Sequence, residues 1–322
     1  MNNLIHEARH LPVAEPVPVV SVAPVKLAAP ARAIELELRV SAPVAGENLP
    51  IIVLSHGHGP SLYVPSLFGY GPLSHFYAAH GFVVIQPTHL SAKLYGLGAD
   101  HPEAPLFWRS RVADMSRIVD ELDTIEVAVP WLKGRLDKSR IAAVGHSMGG
   151  QTVGMLLGAR LTDPQDADAV DVDLRDMRFK AGVLLAAPGN GGDSLSEFAA
   201  ANYSALNPDF SHMTTPSLVV AGDADASAYL TTRDASWHAD PYHGSPGARD
   251  LLMLTDGKHG LGGIAGYDAR ETDDEDPDRL ATTQRMTWAW LRTALYPDDP
   301  AWAKACAALA EKTVGLGRVE SK

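Results

Sequence analysis

The segment IAAVGHSMGG at 141–150 sets a serine, Ser147, among glycines at the end of an apolar run. Gly145-x-Ser147-x-Gly149 is one way to expose a nucleophile. A sharp turn from strand to helix lifts the central side chain above a sheet, and glycines two residues to either side let the backbone pass without clashes. A helix starting at Met148 would aim its free N–H groups and positive dipole end at an oxyanion forming beside Ser147. The same residues also fit a glycine-rich turn in which Ser147 only caps a helix. Partners separate the two, because a serine hydroxyl is a weak nucleophile without a base held by a carboxylate.

Such partners follow in the order serine, acid, histidine. SLVVAGDADAS at 217–227 offers Asp223 and Asp225 beyond one apolar run, and LLMLTDGKHGLGG at 251–263 offers His259 beyond the next. Asp225 is the expected acid, since it has cleared the strand end, whereas Asp223 directly follows Gly222 in the turn. Asp256 is a weaker rival whose short separation from His259 suits a local turn contact. For the oxyanion, the backbone N–H of Met148 and that of His58, in LSHGHGPSLY at 54–63, are the expected donors. His56 and His58 could instead be metal ligands or ordinary loop polarity, but no nearby carboxylate completes a metal set.

These residues need a frame that gathers them. IELELRV at 34–40 alternates as a half-buried strand does, while IIVLS at 51–55 and FVVIQP at 82–87 are continuous apolar runs, as in strands covered on both faces. Further strands are expected near Val17–Leu27 and at 141–146, 181–188, 217–222 and 251–255. Helices are expected over 65–80, 109–132, 148–161, 279–295 and 300–312. Within 109–132, Val112, Met115, Val119, Leu122, Ile125 and Val129 form one apolar stripe at three- and four-residue spacing. Alternating strands and helices predict right-handed crossovers and a mostly parallel central sheet with helices on both faces, its ligand site beyond the carboxyl ends of the strands. Residues 1–32, rich in Pro, Ala and Val, read as an extended arm, and 33–322 as one α/β domain without repeats.

Composition narrows the function classes. A net charge of −12 over 322 residues makes nucleic acid and anionic membrane surfaces poor partners. The one cysteine, Cys306, leaves no intrachain disulfide and no cysteine-based zinc site. There is no run of about 18 apolar residues. Pro12, Pro16 and Pro18 interrupt the stretch where a signal peptide would need its apolar core, so a cytoplasmic location is expected.

Other clusters carry less. Aspartates scattered over 163–176 lack the central glycine and closing glutamate of an EF-hand loop and read as a solvated connection. ETDDEDPDR at 271–279 reads likewise. His238 and His243 in WHADPYH have no neighbours in the sequence that complete a zinc set. Tyr63, Phe68, Tyr70, Phe107, Trp108 and Trp237 are candidates to line an apolar pocket.

From about Leu49 to Leu295 the chain resembles the α/β-hydrolase superfamily. More narrowly it resembles the serine-dependent branch that includes bacterial dienelactone-hydrolase-like proteins, platelet-activating-factor acetylhydrolases and chlorophyllases. The carriers are IIVLSHGHG, HGFVVIQPTH at 80–89, RSRVADMSRIVDELD at 109–123, RIAAVGHSMGG at 140–150, PSLVVAGDADAS at 216–227 and GKHG at 257–260. The resemblance implies Ser147 as nucleophile, Asp225 as acid, His259 as base, and His58 and Met148 at the oxyanion positions. Dienelactone hydrolases proper carry cysteine where Ser147 stands, so their substrate does not carry over, and the loop at 260–278 has no counterpart. The expected activity is hydrolysis of a small-molecule carboxylic ester, without a cofactor. The alternatives are an amide, thioester or perhydrolysis reaction on the same triad, or a binding protein that keeps the fold with an idle triad.

Overall fold

The computed structural model describes residues 4–30, 32, 34–266, 274–313 and 315–322. Along the chain run β1 (Val19–Leu27), β2 (Leu36–Pro43), β3 (Leu49–Ser55), α1 (Gly71–Ala79), β4 (Val83–Pro87), α2 (Trp108–Asp120), α3 (Leu122–Ala128), β5 (Leu136–His146) and α4 (Met148–Leu156). They are followed by β6 (Phe179–Leu185), α5 (Glu197–Asn202), β7 (Ser217–Gly222), α6 (Asp240–Gly244), β8 (Ala248–Leu254), α7 (Pro277–Leu295), α8 (Ala301–Lys312) and β9 (Gly317–Ser321). The nine strands form one sheet in the order β1-β2-β4-β3-β5-β6-β7-β8-β9. Pairing is parallel from β4 through β3, β5, β6 and β7 to β8, and antiparallel at both edges.

Continuous apolar runs are explained by burial on both sides. On β3, Ile51 and Val53 join the core beneath α2, α3 and α4, while Ile52 and Leu54 join the core beneath α1, α7 and α8; β5 divides Ile141 and Ala143 from Ala142 and Val144 in the same way. Successive side chains on a strand point to opposite faces, so a doubly covered strand needs apolar residues at every position. Among the described residues no helix is long and apolar enough to cross a membrane.

Several expected elements differ. The helix expected from 65 begins only at Gly71. Before it, the Ser61 and Ser66 hydroxyls accept the Val64 and Phe68 N–H groups, and Tyr70 sits at φ 58°, so local side-chain bonds replace helical ones. The stripe expected over 109–132 is buried throughout, but its helix breaks at Glu121 (φ −105°, ψ 20°) into α2 and α3. The helix expected to reach 161 stops at Leu156, two residues before Gly158 at φ 115°. β9, on the edge beside β8, had no apolar alternation to reveal it, because most of its residues are exposed.

Of the acidic stretch at 271–279, residues 271–273 lie outside the described residues. Asp274 is not solvated as expected: it is buried, paired with Arg279 and accepting the Lys258 and Gly262 N–H groups, which ties the 257–263 turn to the start of α7.

Candidate active site

The turn between β5 and α4 holds Ser147 at φ 55°, ψ −122°, a conformation costly for a residue with a Cβ. Its neighbours leave no alternative backbone. A Cβ on Gly145 would sit 2.1 Å from the Gly149 carbonyl oxygen, and one on Gly149 would sit 2.1 Å from that of Ser55. Strand, helix and β3 therefore meet at glycine-only distances. The Ser147 N–H donates to the Leu185 carbonyl of β6 at 2.9 Å, which pins the turn to the next strand.

Beyond β7 and β8 the chain makes two turns packed on each other, where a Cβ on Gly222 would lie 2.0 Å from the Gly257 carbonyl oxygen. This contact brings Asp225 to His259, with Oδ2 and Nδ1 2.9 Å apart. Asp225 is buried and His259 keeps 37% of its side chain exposed, whereas Asp223 and Asp256 are exposed. Burial works to raise the Asp225 carboxyl, but the hydrogen bond and charge of His259 outweigh it, leaving it below the ordinary carboxylate range. Ser147, His259, Asp225, His58 and Met148 all line one cavity of about 560 Å³.

The remaining walls of that cavity include Pro105, Leu106, Leu206, Leu230, Tyr203 and Tyr229. The aromatics expected there do not line it. Tyr63 and Phe68 are exposed, and Trp237 is fully buried with its indole N–H on the Asn190 carbonyl. Trp108 faces a smaller neighbouring hollow that shares Pro105, Leu106 and Tyr203 with the main cavity. Tyr70 is a structural link: its hydroxyl accepts the Gly57 N–H at 3.0 Å and donates to His146 Nδ1 at 2.8 Å, and His146 Nε2 donates to the His259 carbonyl at 2.8 Å. Burial, and then the nearby His259, lower His146 to about 3, so it stays neutral and can accept and donate at once.

The sequence offers His238 no neighbours that complete a zinc set; in the fold its Nε2 lies 3.2 Å from Ser227 Oγ and 3.2 Å from Asp225 Oδ2, and its Nδ1 2.8 Å from the Ala187 carbonyl oxygen. His243 takes no part in this contact. Among the described residues, Asp225, His238 and His259 bring ligand atoms within 4.8 Å of one another, as do the exposed Asp171, Asp209 and His212. In the first group His259 hydrogen-bonds Asp225, whereas His238, kept neutral by burial and donating its Nδ1–H to Ala187, turns an unprotonated Nε2 to the Ser227 hydroxyl.

A second serine–histidine–aspartate set lies beneath the loop that carries His58. Asp114 Oδ2 is 2.8 Å from His89 Nδ1, and His89 Nε2 is 2.9 Å from Ser55 Oγ. All three residues are buried. Spacing gave no sign of it, since its members come from β3, the loop after β4, and α2.

A family model described as alpha/beta hydrolase family matches residues 52–317, most of the chain and every element that builds the cavity. The chain belongs to the alpha/beta hydrolase family. None of the curated proteins matches it. Members of this family are generally hydrolytic enzymes, and in this alpha/beta hydrolase the described cavity stands where such a sheet binds its ligands, beyond the carboxyl ends of β3, β5, β7 and β8.

Proposed function

We propose that this alpha/beta hydrolase is a carboxylic ester hydrolase of the serine-dependent branch named above, working through an acyl-enzyme. The observation that carries the proposal is the 2.9 Å Asp225–His259 contact in the same cavity as a serine held on a strained strand-to-helix turn. His259 removes the Ser147 proton as Oγ attacks the ester carbonyl. Asp225, ionised because its carboxyl lies below the usual range, orients the ring and stabilises the imidazolium. The Met148 and His58 N–H groups receive the oxyanion. The imidazolium then protonates the departing alcohol, and water cleaves the acyl-enzyme by the same route.

The mixed apolar and polar lining suits an uncharged ester. The test is hydrolysis of p-nitrophenyl esters from acetate to palmitate, with Ser147→Ala beside the parent. A Ser147-dependent rate is expected, and its fall with acyl length sizes the cavity. No rate on any ester, together with no fluorophosphonate labelling of Ser147, would sink the reading. Labelling without ester turnover would favour an amide or thioester on the same residues.

A further inference from the structure

Arg111, on α2, is fully buried, and all four of its hydrogen-bond acceptors are neutral. Its Nε donates to Thr152 Oγ1 at 3.0 Å and its Nη1 to Ser91 Oγ at 2.7 Å; its Nη2 donates to Ser55 Oγ at 3.2 Å and to the His56 carbonyl. Buried charges are ordinarily paired with a carboxylate, because desolvation is costly. The nearby Asp114 acts on Arg111 only through its charge, and its own oxygens go to Arg32 and His89. Burial lowers Arg111 to about 9, which still leaves it a cation at neutral pH.

What the guanidinium spans gives it a task. The His56 carbonyl lies two residues before His58, one of the two amide donors in the proposed reaction. Thr152 Oγ1 accepts from Arg111 and donates to the Met148 carbonyl at 3.0 Å, on the residue that supplies the other donor. Ser91 adds a direct link to the cavity wall. The charge is felt on the same loop: after burial, Arg111 is what holds His58 down to about 3. A positive charge in a poorly polarisable interior acts more strongly on a developing anion than it does in water.

Resting on the proposed ester hydrolysis, we propose that Arg111 is the positioning residue of the oxyanion site. It clamps the His58 loop to the Met148 helix turn and directs a positive charge that hydrogen-bonds no carboxylate toward the oxygen that becomes negative. It touches neither the substrate nor Ser147. Its contribution grows as charge develops, so it belongs to the transition state and not to substrate binding.

The test is steady-state kinetics on the best p-nitrophenyl ester for the full chain and for Arg111→Met, with affinity for butylboronic acid, which adds to serine as a tetrahedral anion. The expected result is a fall in kcat of about 10- to 100-fold with KM within about twofold, and a parallel loss of boronate affinity. Unchanged kcat in a folded Arg111→Met, or a loss carried by KM with boronate affinity intact, would overturn the inference. If Arg111→Met does not fold, Thr152→Val decides: it cuts the tie to the Met148 carbonyl while keeping the charge. A fall in kcat of about tenfold with unchanged KM supports the clamp, and parental kcat refutes it. A parent that neither hydrolyses esters nor is labelled at Ser147 marks failure of the esterase reading and not of the clamp.

Discussion

Two serine–histidine–aspartate sets lie close together in this fold, and by hydrogen-bond length the buried one is complete. Ser55, His89 and Asp114 are joined by contacts of 2.9 and 2.8 Å, and Arg32 and Arg111 surround them. Ser147, His259 and Asp225 line an open cavity instead, with a helix starting at the residue after the serine. The electrostatics run in opposite directions. Burial raises the Asp114 carboxyl to about 7 and lowers His89 well below its usual range, whereas Asp225 lies below the ordinary carboxylate range. Ser55 is held by Arg111 as well as by His89, and the sheet and α2 seal it from substrate. Access, a free helix end and an ionised acid separate the two sets, and these are the features the proposed nucleophilic reaction needs beyond residue identity and spacing.

The largest expected contrast is in activity. Ser147→Ala should lower kcat on a p-nitrophenyl ester by about 10⁴-fold or more. Ser55→Ala should keep fluorophosphonate labelling at Ser147 and lose at most about tenfold in rate. Labelling that moves to Ser55, or vanishes only in Ser55→Ala, would reverse the comparison.

Stability should show the opposite ranking. Asp114→Ala leaves Arg32 and His89 without their buried acceptor and should cost about 3–5 kcal/mol in urea unfolding. Asp225→Asn keeps the shape of its site and should cost kcat far more than it costs the midpoint. Equal losses of stability in the two variants would contradict the assignment of one set to structure and the other to chemistry.

Acid should separate them more finely. The Asp225 carboxyl is lowered in the folded chain, so its contribution to stability is present above the ordinary value of 3.8 and is lost as pH falls through the folded value. Asp114 is raised from 3.8 to about 7, so its contribution is present below 3.8 and fades as pH rises toward 7. Urea titrations across pH should therefore give Asp225→Asn a shallower acid decline than the parent. Asp114→Asn should lose the decline between 3.8 and about 7. Identical pH slopes in parent and variants would remove the electrostatic half of the contrast.

The parts of the candidate site readable from the chain were those that covalent neighbours dictate. Gly145 and Gly149 announce the turn around Ser147 because only glycine fits where those two stand, and alternating apolar faces on β3 and β5 require cover on both sides. Asp225 could be preferred to Asp223 by position, but burial against His259 is a property of the packed turns at Gly222 and Gly257. The pocket aromatics were misread because exposure of Tyr63 and burial of Trp237 depend on loops whose paths local propensity does not set.

The sequence by itself determined the strand-helix alternation and the serine turn, because these follow from backbone sterics and from apolar periodicity within short windows. Only the tertiary structure decided that His238 packs beside Asp225, that Tyr70 and His146 link Gly57 to His259, and that Arg111 lies buried among neutral acceptors. The Tyr70–His146 and Arg111 links join residues far apart in the chain, through hydrogen bonds whose strength depends on the exclusion of water, and water is excluded only once the whole sheet and its helices have closed over them.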